Sequence, residues 1–267
     1  MKSIVGVSAS DVNSVYEGAE GELFELVFGE QIHIGGLASS RDLAERAGIA
    51  AGQHGVDLCC CNGAGMRFLV RFCDVASVIG VDATARIVER GRERCDEAGL
   101  AQSIRFIHAD ACDSGLPDAE ADFVWGEDAW CYVADKPGLI SEAARIVRPG
   151  GVIAFTDWVE GAAGLSDGEA ELVLGGMRFD NIEGLAGYRA LLEESGCDVL
   201  EASETGRFAR HFDLYADMIE MQLTWDALKI VGFDSSRVDL LITGFRLFAG
   251  LAHQGKLAQG RFIARKR

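Results

Sequence analysis

The chain has 267 residues, and its 42 acidic against 25 basic side chains leave a net charge of −17. That length can bury a substantial core, as one large domain or a domain with a lid, while the charge argues against a nucleic-acid partner, whose phosphates need a basic face. No apolar run reaches the roughly 20 residues that span a bilayer, and Met1-Lys2-Ser3-Ile4-Val5 opens no long apolar leader, so a cytoplasmic protein with no membrane partner is expected.

Residues 11–38 suggest a helix with an apolar face (Leu23, Leu26, Val27), broken by Gly29 and followed by a polar loop that carries His33. Ser39-Ser40-Arg41-Asp42 reads as a helix start with hydroxyl caps. A strand is expected at 55–60, a helix at 64–72, a strand at 77–82, and a helix from Thr84 to near Gly99. Strands at 103–108, 121–126 and 152–157 follow, with a helix at 137–147 and a turn at Arg148-Pro149-Gly150-Gly151. Residues 159–185 are Gly- and acid-rich and read as a lid. A helix at 186–195, a strand at 198–204, long helices near 208–230 and 236–253, and a strand near 259–265 complete the chain. Five strand–helix alternations demand parallel strands with helices on both faces, and ligands then bind at the carboxyl ends of the strands. The residues there are Asn62-Gly63, Asp82, Asp110, Glu127-Asp128 and Asp157-Trp158.

Residues 55–82 are the centre of the pattern. Strand, small-residue turn, helix, strand and terminal acid make a βαβ unit, with Asp82 placed 25 residues after Asp57. Such a unit holds an adenosine cofactor: the turn and the helix N-terminus present N–H groups, and the acid accepts from ribose hydroxyls. The turn is unusual. Cys59, Cys60 and Cys61 stand where small residues, mainly glycines, are expected. Eight cysteines occur in all, with no C-x-x-C pair, and neighbouring strand residues face opposite ways, so buried thiols rather than a metal site are expected.

The nicotinamide fingerprint G-x-G-x-x-G is absent. Asp57-x-Cys59-x-Cys61-x-Gly63 instead resembles motif I of the class I S-adenosylmethionine-dependent methyltransferases, with two glycines replaced. Asp82, Ala109-Asp110-Ala111 and Arg148-Pro149-Gly150-Gly151 follow in that family's order. Gln31-Ile32-His33-Ile34-Gly35, Gly126-Glu127-Asp128-Ala129-Trp130 and Ala154-Phe155-Thr156-Asp157 are similar to its glycine/sarcosine/dimethylglycine N-methyltransferase branch.

The resemblance implies a Rossmann-like α/β fold: a seven-stranded, mostly parallel sheet, helices on both faces and an added helical lid. It implies one domain over 1–267, with a cap over the cofactor at 1–45, a cofactor core at 46–158 and a lid and substrate half at 159–267. S-adenosylmethionine is the implied cofactor, held by Asp57, Cys59, Cys61, Gly63, Asp82, Ala83, Asp110, Ala111 and Glu127. The implied reaction is methylation of a small amine, of the sarcosine or dimethylglycine type. An O- or C-methyltransferase on a natural product and a non-catalytic cofactor-binding protein are the alternatives. A homodimer is compatible with the sequence.

Methyl transfer is an in-line displacement, so the enzyme must align a nucleophile and exclude water. Asp128, Trp130, Tyr132 and His33 are the candidate catalytic residues. Trp130 reads equally well as core packing and Asp128 as a helix cap. Relatives in the resemblance carry His where Tyr132 stands; a phenol with a pKa near 10 orients more readily than it abstracts a proton. Trp158 and Asp157 are candidate substrate contacts, as aromatic faces and carboxylates stabilise a growing ammonium charge. Arg178 and His211 are candidates for a substrate carboxylate.

Overall fold

The computed structural model describes residues 1–3, 12–13, 15–16 and 18–267. Of the helix expected over 11–38, residues 11, 14 and 17 lie outside the described residues, as do Ile4, Val5 and the remainder of 4–11. The elements in order are β1 (Lys2–Ser3), α1 (Ala19–Phe28), α2 (Gly36–Ala47), β2 (His54–Leu58), α3 (Ala64–Phe72), β3 (Ser77–Asp82), α4 (Ala85–Glu97), β4 (Ile104–His108) and β5 (Ala121–Glu127). After a 3-10 turn at Trp130–Tyr132 come α5 (Lys136–Ile146), β6 (Val147–Glu160), α6 (Asp167–Met177), β7 (Asn181–Ile182), α7 (Leu185–Glu194) and β8 (Cys197–Glu204). The chain ends with α8 (Phe208–Met218), a π-helical turn at Ile219–Leu223, α9 (Thr224–Ile230), α10 (Ser235–His253) and β9 (Leu257–Lys266).

Seven strands form one sheet in the order β4-β3-β2-β5-β6-β9-β8. The first five are parallel; β9 runs antiparallel to both neighbours, pairing Phe155 with Phe262 and Ala202 with Phe262. This is the mostly parallel, seven-stranded, Rossmann-like sheet implied by the sequence, and the expectation from strand–helix alternation alone, a parallel sheet throughout, fails only at β9. Successive strands step outward from β2 in one direction to β4 and in the other from β5, so the order reverses between β2 and β5. A crevice opens at the carboxyl ends of strands at such a reversal.

Strand interiors are apolar because the sheet is covered on both faces: Val56, Leu58, Val78, Val81, Phe123 and Val124 are all buried. The C-terminal helices build a separate core around Trp158, Phe212 and Phe245, which β1 and β7 border as a two-stranded ribbon.

Several local readings change. Ser39 and Ser40 do not start α2; it begins at Gly36, and both serines are fully buried within it. Strand β2 stops at Leu58, two residues early, because Cys59 leaves the extended region. Thr84 stands at the N-cap of α4, yet its hydroxyl bonds Asn13 Oδ1 at 2.8 Å. The lid segment contains a capped helix, α6, in which Ser166 and Glu169 form a reciprocal capping box. The helix expected over 208–230 is interrupted by the π-helical turn.

Candidate active site

The cofactor turn is built by backbone geometry. Cys59 and Cys61 adopt φ of 62° and 47°, the left-handed region that glycine enters without cost. The cysteines have therefore not widened the turn; they occupy the glycine conformation and carry thiols into it. Gly63 follows at φ 76° as the N-cap of α3, and a Cβ there would sit 2.5 Å from the Phe106 ring. Asp82, at the end of β3, ties the turn down: Oδ2 accepts from Cys61 N at 2.9 Å and Oδ1 from Thr84 N at 2.9 Å. Asp110 Oδ1 closes the neighbouring turn by accepting from Cys112 N at 2.8 Å.

These loops surround a cavity of about 360 Å³ at the strand ends. Asp57, Cys59, Cys61, Asp82, Ala83, Asp110, Ala111 and Glu127 all line it, as do His33, Asp128 and Tyr132. Gly63 does not; it shapes the turn from behind. From the N-terminal segment come Asn13 and Tyr16, and from the loop before α2, Glu30 to His33.

One wall is a buried polar network. Ser40 Oγ donates to Glu127 Oε2 at 3.0 Å, lies 3.2 Å from His33 Nε2, and accepts from Gln31 Nε2 at 3.1 Å. Trp125 Nε1 also donates to Glu127 Oε2, at 3.2 Å. Glu127 Oε1 and His33 Nδ1 are buried without a hydrogen-bond partner. Burial pushes the Glu127 carboxyl up to about 8, against the donors that favour its charge. Burial likewise holds His33 below its ordinary value. Asp57, whose Oδ2 lies beside Gly65, is raised well above the carboxylate range by burial and then by Glu127. Asp128 is raised to about 6 by burial, although Ile34 N (2.8 Å) and Gln259 Nε2 (2.7 Å) donate to it. It takes φ 50°, so it is a buried anchor for the His33 loop and not a helix cap.

Tyr132 meets Tyr16 edge to face, ring centroids 5.5 Å apart. Burial raises both phenols, so they stay protonated and can donate.

Five candidates from the sequence lie away from the cavity. Trp130, in the 3-10 turn after β5, is fully buried, donates from Nε1 to Leu58 O at 3.1 Å and stacks on Phe155 at 4.0 Å. Asp157 is buried as an acceptor for Cys131 N and the Tyr188 hydroxyl. Trp158 packs among Phe179, Phe208, Phe212 and Phe248. His211 lies on α8 with its Nδ1 2.9 Å from Arg207 O. Arg178 is exposed at the end of α6. Sequence reasoning missed Tyr16 and Gln259: Tyr16 sits in a weakly patterned segment, and Gln259 reaches Asp128 from 131 residues away.

A family model for a methyltransferase domain matches residues 56–155. The chain is 30% identical to the 27-O-demethylrifamycin SV methyltransferase of Amycolatopsis mediterranei, covering 71% of this chain and 74% of that one. The chain belongs to the S-adenosylmethionine-dependent methyltransferase family. It is also similar to the dimethylglycine N-methyltransferase of Parasynechococcus marenigrum, at 28% identity over 98% of both chains. Among solved structures, the Haemonchus contortus phosphoethanolamine N-methyltransferase 2 bound to phosphomonomethylethanolamine and S-adenosylhomocysteine shares the fold, with TM-score 0.86, 21% identity, and 98% and 60% of the two chains covered. The methyltransferase spans about half the length of the plant phosphoethanolamine N-methyltransferases it matches.

The cavity fits the cofactor of this family. S-adenosylmethionine carries a sulfonium and an ammonium, and the cavity offers Asp57 and the carboxyl of Glu127, whose buried Oε1 has no hydrogen-bond partner and lies 3.5 Å from His33 Nε2, as acceptors for the ammonium hydrogens. No His, Cys, Asp and Glu group among the described residues is arranged to hold a metal. No helix among them is long and apolar enough to cross a membrane.

Proposed function

We propose that this protein transfers the methyl group of S-adenosylmethionine to the nitrogen of a small amine. Bound S-adenosylmethionine supplies a methyl group on a sulfonium centre, which the amine lone pair takes in line as the carbon–sulfur bond breaks. The residues act by holding and orienting. Asp82 receives the ribose hydroxyls, Asp110 and Ala111 border the adenine, and the 59–65 turn with Asp57 and Glu127 holds the methionine part. His33 and Asp128 fix the loop that covers it. Tyr16 and Tyr132 orient the acceptor by donating from neutral hydroxyls, a positioning role that suits their raised pKa values.

The observation that carries the reading is the size and character of the cavity. Its volume of about 360 Å³ takes in the cofactor part lined by Asp57, Asp82 and Asp110 as well as the acceptor part, and it is at the small end of the roughly 300–1,000 Å³ of ligand sites, which leaves little room for an acceptor. The apolar residues that a bulky natural product would need are packed against one another: Phe208, Phe212, Phe245 and Phe248 are buried and none lines the cavity. A small polar acceptor is therefore favoured over a phenolic or polyketide one. The test is a methyl-transfer assay across primary, secondary and tertiary amines and a set of phenols. Product only from phenols would defeat the amine reading, and no binding of S-adenosylhomocysteine by calorimetry would defeat the catalytic one.

A further inference from the structure

The charge of the acceptor end is set by one short segment. Arg178 ends α6 at φ 59°, is exposed to solvent and, among the described residues, donates to Gly175 O at 3.4 Å. Phe179 then turns inward, its ring 4.8 Å from that of Tyr132. Asp180 comes next, half-buried, and lines the cavity beside Val133 and Ala134. Asn181 Nδ2 holds it there, donating to Ala134 O at 2.8 Å and to Asp180 Oδ2 at 3.1 Å. The segment thus delivers its acid to the site and turns its arginine away.

No cation on the lining reverses that sign. No Arg or Lys lines the cavity among the described residues, and residues 4–11, 14 and 17 contain neither type. The cations around it do not reach the lining: Arg67 donates to Asn62 O and Glu30, Arg207 to Asp42 and Ser39, and Lys136, close enough to Asp180 for the two charges to attract, is buried behind the wall and donates to the carbonyls of Cys131 and Val133.

Resting on the amine reading above, we infer that Asp180 is the specificity-determining residue of the acceptor end, and that it selects an amine bearing no carboxylate or phosphate, an alkylamine or amino alcohol. An acidic acceptor brings a second anion beside Asp180 with no cation on the lining to receive it, whereas a plain ammonium finds its counter-charge on entry and gives its proton to solvent before its lone pair attacks. Specificity of this kind is a difference between two affinities, and the repulsive member supplies most of it. A like-charge contact of this type is worth roughly tenfold or more in affinity.

The test uses three probes that share one dimethylamino head: dimethylaminoethanol, dimethylglycine and phosphodimethylethanolamine. Each is titrated by calorimetry into the complex with S-adenosylhomocysteine, and each is assayed for methyl transfer. Dimethylaminoethanol is expected to bind about tenfold more tightly than either acid. Asp180→Asn narrows that ratio and Asp180→Lys inverts it, while S-adenosylhomocysteine affinity, measured in the same variants, stays unchanged and reports an intact fold. Dimethylglycine bound and methylated as well as the amino alcohol overturns the inference and leaves amine methylation standing. A ratio unmoved in Asp180→Asn also overturns it. Methylation of phenols with none of the three probes bound removes the inference together with the amine reading.

Discussion

Glu127→Gln tests the electrostatics of the cavity wall. The Glu127 carboxyl is buried, and desolvation raises it from an ordinary 4.5 to about 8. The folded chain therefore keeps a proton that the unfolded chain releases near 4.5, so stability falls as pH rises between those values. Each pH unit in that window costs about 1.4 kcal/mol, or up to about 5 kcal/mol across it. Glutamine keeps an acceptor for Ser40 and Trp125 and cannot ionise. Between pH 5.5 and 7.5 the variant should gain about 3 kcal/mol on the parent. For a chain of this size that is a widening of roughly 5–10 °C in Tm. Asp82 and Asp128, also raised by burial, titrate in both proteins and cancel in the difference, while Asp57, raised in part by Glu127, moves back toward its ordinary value in the variant and adds to the gain in the same direction. The assay is thermal unfolding of both proteins, without cofactor, at half-unit steps of pH. Parallel curves would refute the argument, because they would mean that Glu127 is already ionised in the folded protein at neutral pH.

Gly63→Ala places a Cβ 2.5 Å from the Phe106 ring at a positive φ; it should cost roughly 3 kcal/mol in denaturant unfolding, and an unchanged midpoint would show that Phe106 yields freely. Replacing Cys59 and Cys61 by glycine should leave S-adenosylhomocysteine affinity unchanged or tighter by calorimetry, since the turn already has glycine geometry; stability shifts little, as relief of about 1 kcal/mol per site is offset by unfolded-chain freedom. A tenfold loss of affinity would mean that the thiols hold the ligand. Trp130→Ala should destabilise by about 3–5 kcal/mol, whereas Tyr132→Phe should lower turnover at unchanged Tm; the reverse pattern would return the indole to the acceptor site.

The cofactor half was legible because its signals are local. A βαβ unit is written within one stretch of chain, and Asp57 and Asp82 sit at the carboxyl ends of their strands while the 59–63 turn and Asp110 come just after theirs, so strand order alone brings them to one crevice. The acceptor half was not legible in that way. Trp130, Asp157 and Trp158 sit beside strand ends in sequence, yet a strand shows alternate residues to opposite faces and the 3-10 turn rotates the chain again. Periodicity places them near the site without deciding which way they point.

What the sequence determined by itself is the sheet, the cofactor turn and the family, because alternating apolar patterns and short motifs are set by neighbours in the chain. What only the tertiary structure decided is which charges line the cavity. Arg178 and Asp180 are two residues apart, and one left-handed cap turns the first to water and the second to the cavity. Tyr16 meets Tyr132, and Gln259 meets Asp128, across more than a hundred residues of chain. Such pairings have no local code; they exist only once the C-terminal helices have packed their aromatic rings and closed the sheet with β9.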